Sequence, residues 1–356
     1  MARRFLLIKA YGWGFWADME HVLGQLLAAE LTGRTPIVHW GMNSLYCDRF
    51  GDNAFELYYE PVSDCSLREV LRPGLSFYPP IWNYKNALVE DLDKTAKQYR
   101  NLGDMMNSDA DVLVSDTHCF PRPILEYVNK DHWAYGMTPI QIYRVIAEKY
   151  LRLKSDIQKE IDDYYNKYIK DKGPVLGVHV RGTDKVIEVA NLSALNRRYH
   201  MEIGRYIRDY GIKKIFLLTD SKQILDVFNH KYKDMVLTTN CNRSEGSADK
   251  AVQVENYVNR RRKGIEVIVD TYVAAKCDFF VGNGYSNVSF AVNRLKDWPE
   301  SHIVLFYNTL EQEKMLSKKR SRLELLRRKS RELEHKLNYP ELYGGALYKW
   351  QENDIY

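Results

Sequence analysis

Val175-Leu-Gly-Val-His-Val-Arg-Gly-Thr-Asp-Lys185 decides how this chain is read. Pro174 breaks what precedes it, and Val175, Leu176, Val178 and Val180 give the β-branched, apolar character of a central buried strand. The strand then runs into a crowd of polar groups: His179, Arg181, Thr183, Asp184 and Lys185. Open α/β sheets collect ligands at the carboxyl ends of such strands. A fixed cation, an imidazole and a carboxylate this close together suit an anionic, hydrogen-bonding ligand such as a sugar nucleotide. A solvated surface turn is the plainer alternative.

The same rhythm continues outward. Downstream, a helix is expected over about 194–210, a strand over Lys214–Thr219 ended by Thr219-Asp220-Ser221, a helix over 223–230 and a strand over Met235–Thr239. A polar loop (241–249), a helix over 265–276 and a strand over Asp278–Gly282 follow. Asn283-Gly-Tyr-Ser-Asn-Val-Ser289 opens a further helix. Such alternation implies a mostly parallel sheet. Upstream, Phe5–Ala10 reads as a strand, Tyr11-Gly-Trp-Gly-Phe15 as a Gly-rich loop, 18–31 as a helix and Pro36–Trp40 as the next strand. A lone Gly12-x-Gly14 pair fits either nucleotide approach or a tight turn. Residues 41–110 look like long aromatic loops, Asp111–Ser115 a short strand and 139–170 one helix ending at Asp171-Lys-Gly-Pro174. The expected division is 1–170, 171–308 and a basic tail, 309–356.

The 356 residues suffice for about two domains, with 45% hydrophobic and 28% charged residues. The net charge of +5 is not evenly spread, because Lys314–Lys336 holds ten Lys or Arg against three Glu. That surplus on one tail helix, rather than on an aromatic-studded face, argues against a nucleic-acid partner. The helix expected over 310–337 suits packing against the body, self-association or peripheral membrane contact. Five scattered cysteines give neither a disulfide framework nor metal-ligand spacing. The apolar run at the amino terminus is too short for export or spanning. A soluble, cytoplasmic protein is the expectation.

Gly177-Val-His-Val-Arg-Gly-Thr-Asp-Lys185 resembles the His-Val-Arg-Arg-Thr-Asp-Lys motif of the α-1,6/α-1,2/protein-O-fucosyltransferases. Within that superfamily it is most similar to the α-1,6 enzymes, the group of the rhizobial Nod-factor and N-glycan core fucosyltransferases. Leu218-Thr-Asp220 resembles a second family segment, and Asp270–Val281 with Tyr285-Ser286-Asn287-Val288 a third. The resemblance is strong over 175–290 and weaker over 10–62. It implies a GT-B architecture of two Rossmann-like domains facing across a cleft. It also implies an inverting, metal-independent transfer of fucose from GDP-fucose to a saccharide hydroxyl, with no cofactor.

Carried over residue by residue, the resemblance makes Arg181 the partner of the departing β-phosphate and Asp270 the carboxylate that pairs with guanine. His179 would lie beside that base. Tyr285, Ser286 and Asn287 would serve the diphosphate, with Asp184, Asp220 and Gly14 completing the donor set. Glu188 is the candidate base, one position closer to the motif than in the core enzymes, and Asp18 and Glu20 are alternatives. Gly182 replaces the family's second Arg, so Lys185 or the basic run Arg260-Arg-Arg-Lys263 would compensate, unless that run is merely a solvated loop. The departure leaves open another nucleotide-hexose donor. A non-catalytic carbohydrate- or nucleotide-binding module is the competing class. Trp13, Trp16, Trp40, Trp82 and Tyr84 are the rings expected to line an acceptor site.

Overall fold

The computed structural model describes residues 3–89, 102–115, 124–182, 192–244 and 259–307, with side chains of 192–197 excepted. Thr183, Asp184, Lys185, Glu188 and the helix expected over 310–337 lie outside the described residues. The chain divides into two compact units, one running to Leu153 and the other starting at Lys154. No helix among the described residues is long and apolar enough to cross a membrane.

The first unit carries β1 (Phe5–Lys9), α1 (Phe15–Leu31), β2 (Thr35–His39), the single turn α2 (Leu67–Val70), β3 (Phe77–Tyr78), α3 (Leu102–Asn107), β4 (Val112–Ser115) and α4 (Pro139–Tyr150). Its four strands are parallel in the order β2-β1-β4-β3. β1 is apolar along nearly its whole length because both of its faces are covered, as parallel sheets require. α1 is likewise buried on most sides, from Phe15 through Ala29. Thr138 starts α4 by accepting the Gln141 amide hydrogen, with Pro139 at the first helical position.

The second unit holds α5 (Ser155–Tyr164, prolonged by a wide turn to Ile169), β5 (Val175–Val180), α6 (Leu192–Tyr210), β6 (Lys214–Thr219), α7 (Lys222–Tyr232), β7 (Val236–Leu237), α8 (Arg260–Ala275), β8 (Phe279–Asn283), α9 (Asn287–Arg294) and β9 (Ile303–Phe306). Its five parallel strands lie in the order β7-β6-β5-β8-β9. From central β5 the chain first builds outward through β6 and β7. It then returns to build β8 and β9 on the other side. The reversal places a topological switch point between β5 and β8, where doubly wound sheets bind ligands. Leu176, Val178, Val180, Ile215, Leu217 and Val281 form the core beneath it with Tyr199, Ile203 and Tyr206 of α6. Each fully buried aliphatic side chain there stabilises the fold by about 1.5–3 kcal/mol.

Two alternating α/β units, each built on a parallel sheet, are the parts that the expected GT-B architecture calls for. The helix expected over 139–170 is in fact two. Leu153 bridges to Tyr59, and the Glu60 amide donates to the Arg152 carbonyl, so the chain leaves helical geometry between α4 and α5. α5 belongs with the second unit, so the division falls at 153/154, ahead of Asp171-Lys-Gly-Pro174.

Candidate functional site

Arg181 stands one residue past the end of β5. Its Nη1 lies 2.8 Å from Asp220 Oδ2, with both side chains largely buried. The other oxygen, Asp220 Oδ1, accepts the Gly182 amide hydrogen at 3.0 Å. Asp220 follows β6, the strand paired with β5, so adjacent strand ends clamp the guanidinium in place. Gly182 is required sterically as well. A Cβ there would lie 2.3 Å from Ile224 Cδ1 and 2.9 Å from Ser221 Cβ. The room a second arginine would need at this position is filled by the start of α7.

His179 points from β5 into the interior. Its Nδ1 lies 2.7 Å from Ser289 Oγ, and Ser289 Oγ also accepts the Asn283 amide hydrogen at 3.0 Å. Burial, and secondly the Arg181 charge, push the imidazole pKa down to about 3. His179 is therefore neutral at ordinary pH, one nitrogen donating and the other accepting.

Across the switch point, β8 ends in Asn283-Gly-Tyr-Ser286 and α9 begins. Ser286 occupies the N-cap position, yet its hydroxyl makes no capping hydrogen bond. Asn283 Oδ1 accepts the Tyr285 amide hydrogen at 2.7 Å. Its buried Nδ2 has no hydrogen-bond partner among the described residues. An uncapped helix start next to a buried unsatisfied donor is an environment suited to an anion.

Asp270 lies well inside α8, buried. Thr239 Oγ1 donates to its Oδ1, and the Cys241 thiol donates to Oδ2 at 3.5 Å. Burial raises its pKa to about 6, against the pull of Thr239, Arg243 and Cys241. Arg243 donates to the carbonyls of Cys241 and Thr239, bracing the loop after β7 from within. The carboxylate thus keeps lone pairs for further donors in a dry setting.

The basic run is not a loop. It forms the first turn of α8, capped by Asn259, whose Oδ1 accepts the Arg262 amide hydrogen at 2.8 Å. Arg261 pairs with Asp156 at 2.6 Å and Arg262 with Glu160 at 2.7 Å, both acids on α5. Lys263 is buried, which brings its pKa down to about 8.

The first unit holds Gly14, Asp18 and Glu20. Gly14 precedes α1 in an extended conformation open to any residue, and its carbonyl accepts the Ala17 and Asp18 amide hydrogens. Asp18 is wholly buried and turns back to accept the amide hydrogens of Tyr11, Gly12 and Trp13 at 3.2, 3.3 and 3.4 Å. Burial lifts its pKa to about 7 in spite of them. Its carboxylate is engaged in shaping the Gly-rich loop, so it makes a poor base for a substrate hydroxyl. Glu20 is buried 3.5 Å from the Tyr143 hydroxyl. Trp16, Trp40 and Trp82 are core residues rather than sugar-facing rings.

Comparison with known proteins bears on the constellation around β5. A family profile described as Alpha-(1,6)-fucosyltransferase N- and catalytic domains matches residues 120–292, which include every described member of it. Over those residues the chain is similar to the α-1,6-fucosyltransferases. Nodulation protein Z of Bradyrhizobium diazoefficiens is 24% identical to it, over 70% of this chain and 68% of that protein. The crystal structure of NodZ α-1,6-fucosyltransferase soaked with GDP-fucose superposes with a TM-score of 0.55 at 20% identity, covering 87% of this chain and 97% of that one. POFUT1 in complex with GDP gives 0.50 at 15% identity, covering 87% and 100%.

The site also contains side-chain contacts that the sequence reading left unassigned. Ser289, Thr239, Cys241 and the Asn283 amide each complete a carboxylate, imidazole or helix start. The available signal was the three-residue interval between Ser286 and Ser289, which brings both onto one side of the first helical turn.

Proposed function

We propose that this protein transfers L-fucose from GDP-fucose to a hydroxyl of a saccharide acceptor, with inversion at the anomeric carbon and without a metal ion. The observation that carries the reading is the Arg181–Asp220 clamp at the β5 end, in the unit whose switch point also offers the uncapped α9 start and the Asn283 amide. As the acceptor oxygen bonds to the anomeric carbon, the bond from that carbon to the β-phosphate oxygen breaks. Both electrons pass to the diphosphate. Arg181 is preorganised to meet that charge, and donors fixed before the reaction cost no reorganisation. Amide hydrogens at the start of α9, with Ser286 and Asn287, add to it. Asp270 would accept the N1 and N2 hydrogens of guanine, and His179, held by Ser289, would border the base. Glu188 remains the proposed base, with Lys185, Asp184 and Tyr285 in supporting places, all on the strength of the sequence motif.

One observation favours testing a second donor. The space for another guanidinium at position 182 is taken by Ile224 and Ser221, so the sugar pocket has one fixed cation fewer than the family motif provides. Purified enzyme should be assayed by product chromatography with GDP-fucose, GDP-mannose and UDP-hexoses, in the presence of EDTA. Fucosylated product formed with EDTA present is the expected result. Product from a different nucleotide sugar keeps the fold and discards fucose. Binding of nucleotide with no product from any donor supports a non-catalytic module.

A further inference from the structure

We propose that Trp13 is the platform on which the acceptor saccharide stacks, an inference that rests on the glycosyl-transfer reading above. The loop Tyr11–Gly14 leaves the carboxyl end of β1. In the first unit β1 pairs with β2 on one side and β4 on the other, so this edge, too, is a switch point. Of the five rings that the sequence offered for an acceptor site, Trp16, Trp40 and Trp82 are buried and Tyr84 is half-buried, whereas Trp13 is 49% exposed.

The loop that presents Trp13 is built with unusual care. Asp18 is buried beneath it, and its carboxylate gathers three successive amides, that of Trp13 included. Gly12 has φ +83°, and a Cβ there would lie 2.6 Å from the Asn43 carbonyl oxygen. Asn43 Nδ2 in turn donates to the Ala10 carbonyl at 2.6 Å. The Tyr11 ring lies 5.1 Å from the indole, tilted by 53°, and itself meets His21 edge-on at 5.2 Å. His21 is anchored to Ser115 Oγ, 3.2 Å from its Nε2, at the end of β4.

Stability alone does not account for this arrangement, since burying a carboxylate is costly and half-exposing an indole forgoes burial. A rigid indole does suit a pyranose. The C–H bonds on one face of the sugar carry partial positive charge, the indole face is negative, and stacking excludes water. A platform already fixed loses little freedom when the sugar arrives.

The test compares wild type, Trp13→Ala and Trp13→Phe. Steady-state transfer from GDP-fucose is measured onto β-linked N-acetylglucosamine, glucose and galactose oligosaccharides, and GDP affinity and thermal stability serve as controls of folding. The expected result for Trp13→Ala is an acceptor KM raised about tenfold or more, with GDP affinity and kcat at saturating acceptor within about twofold of wild type. Trp13→Phe should recover most of the loss. An unchanged acceptor KM in Trp13→Ala overturns the inference and leaves the function standing. A raised donor KM with unmoved acceptor KM also overturns it, by giving the ring to the nucleotide. Wild type that fucosylates none of these sugars removes the reading on which the inference rests, and the inference with it.

Discussion

Asp220 holds the Arg181 segment at two points at once, pairing with the guanidinium at 2.8 Å and accepting the next residue's amide hydrogen at 3.0 Å. The aspartate therefore controls both where the guanidinium lies and how the backbone leaves β5. A flexible side chain would have to be ordered during the reaction. Here the ordering is complete beforehand.

Replacing Arg181 with Ala should lower kcat about 10²–10³-fold, the usual loss on removing one preorganised charge donor. Asp220→Ala should lower kcat at least tenfold and destabilise the fold by about 1–3 kcal/mol, because it removes a charged hydrogen-bond partner of a largely buried guanidinium. Asp220→Asn keeps an acceptor for the Gly182 amide. It should fold nearly as wild type and yet remain slow, with KM little changed. Stopped-assay kinetics and a thermal melt on the three variants check this, and full activity in Asp220→Asn would count against positioning by charge.

The dependence of stability on pH should respond with opposite signs at two residues. In the fold His179 titrates at about 3 instead of about 6.5, so below about pH 6.5 the unfolded chain binds a proton that the fold refuses. Its contribution is lost as pH falls, at up to about 1.4 kcal/mol per pH unit. Asp270 titrates at about 6 instead of about 3.9, so the fold keeps a proton that the unfolded chain has released. Its contribution is present below about pH 4 and lost as pH rises to about 6. Urea midpoints between pH 4.5 and 7 should show a shallower acid loss for His179→Gln and a steeper one for Asp270→Asn.

Nucleotide recognition offers a sharper test of Asp270. An ionised carboxylate accepts two guanine hydrogens, whereas an amide presents one donor to them. Asp270→Asn should therefore raise the GDP Kd about 10–100-fold. Wild type should prefer GDP over inosine diphosphate, which lacks the exocyclic amine, and the variant should lose that preference. Lowering pH from 7.5 to 5.5 should weaken GDP binding to wild type, because the group is protonated near pH 6. Calorimetric titration covers all three, and a variant that still discriminates the two nucleotides would remove Asp270 from the base site.

The double variant Arg261→Ala/Arg262→Ala should leave GDP affinity within about twofold of wild type. Its pairs with Asp156 and Glu160 are half-exposed, and such pairs contribute about 0–1 kcal/mol each. A large loss of GDP binding would return these arginines to the donor site.

How far the sequence could be read depended on whether an element was specified locally. β5 and β6 were legible because apolar β-branched runs end abruptly in polar residues, and their observed limits match closely. The start of α8 was misplaced by five residues, since Arg260–Lys263 shows no apolar spacing and its acidic partners lie about a hundred residues away. β7 is only Val236–Leu237 because Thr238 and Thr239 turn their hydroxyls to Arg243 and Asp270. β3 and β9 were not anticipated at all. In the site, charged residues at strand ends stood out, as did the aromatic loop. Which rings were exposed did not, because a tryptophan reads alike in a core and on a surface, and a hydroxyl such as that of Thr239 carries no pattern of its own.

The packing around Gly182 bears on how this sequence can change. Reaching the arginine of the family motif by a single substitution drives a side chain into Ile224 and Ser221, an overpacking that costs about 1–3 kcal/mol. Positions 182, 221 and 224 consequently form one packing unit. In a saturation library, large residues at 182 should survive selection most often alongside smaller partners at 224, where the terminal methyl must otherwise move aside.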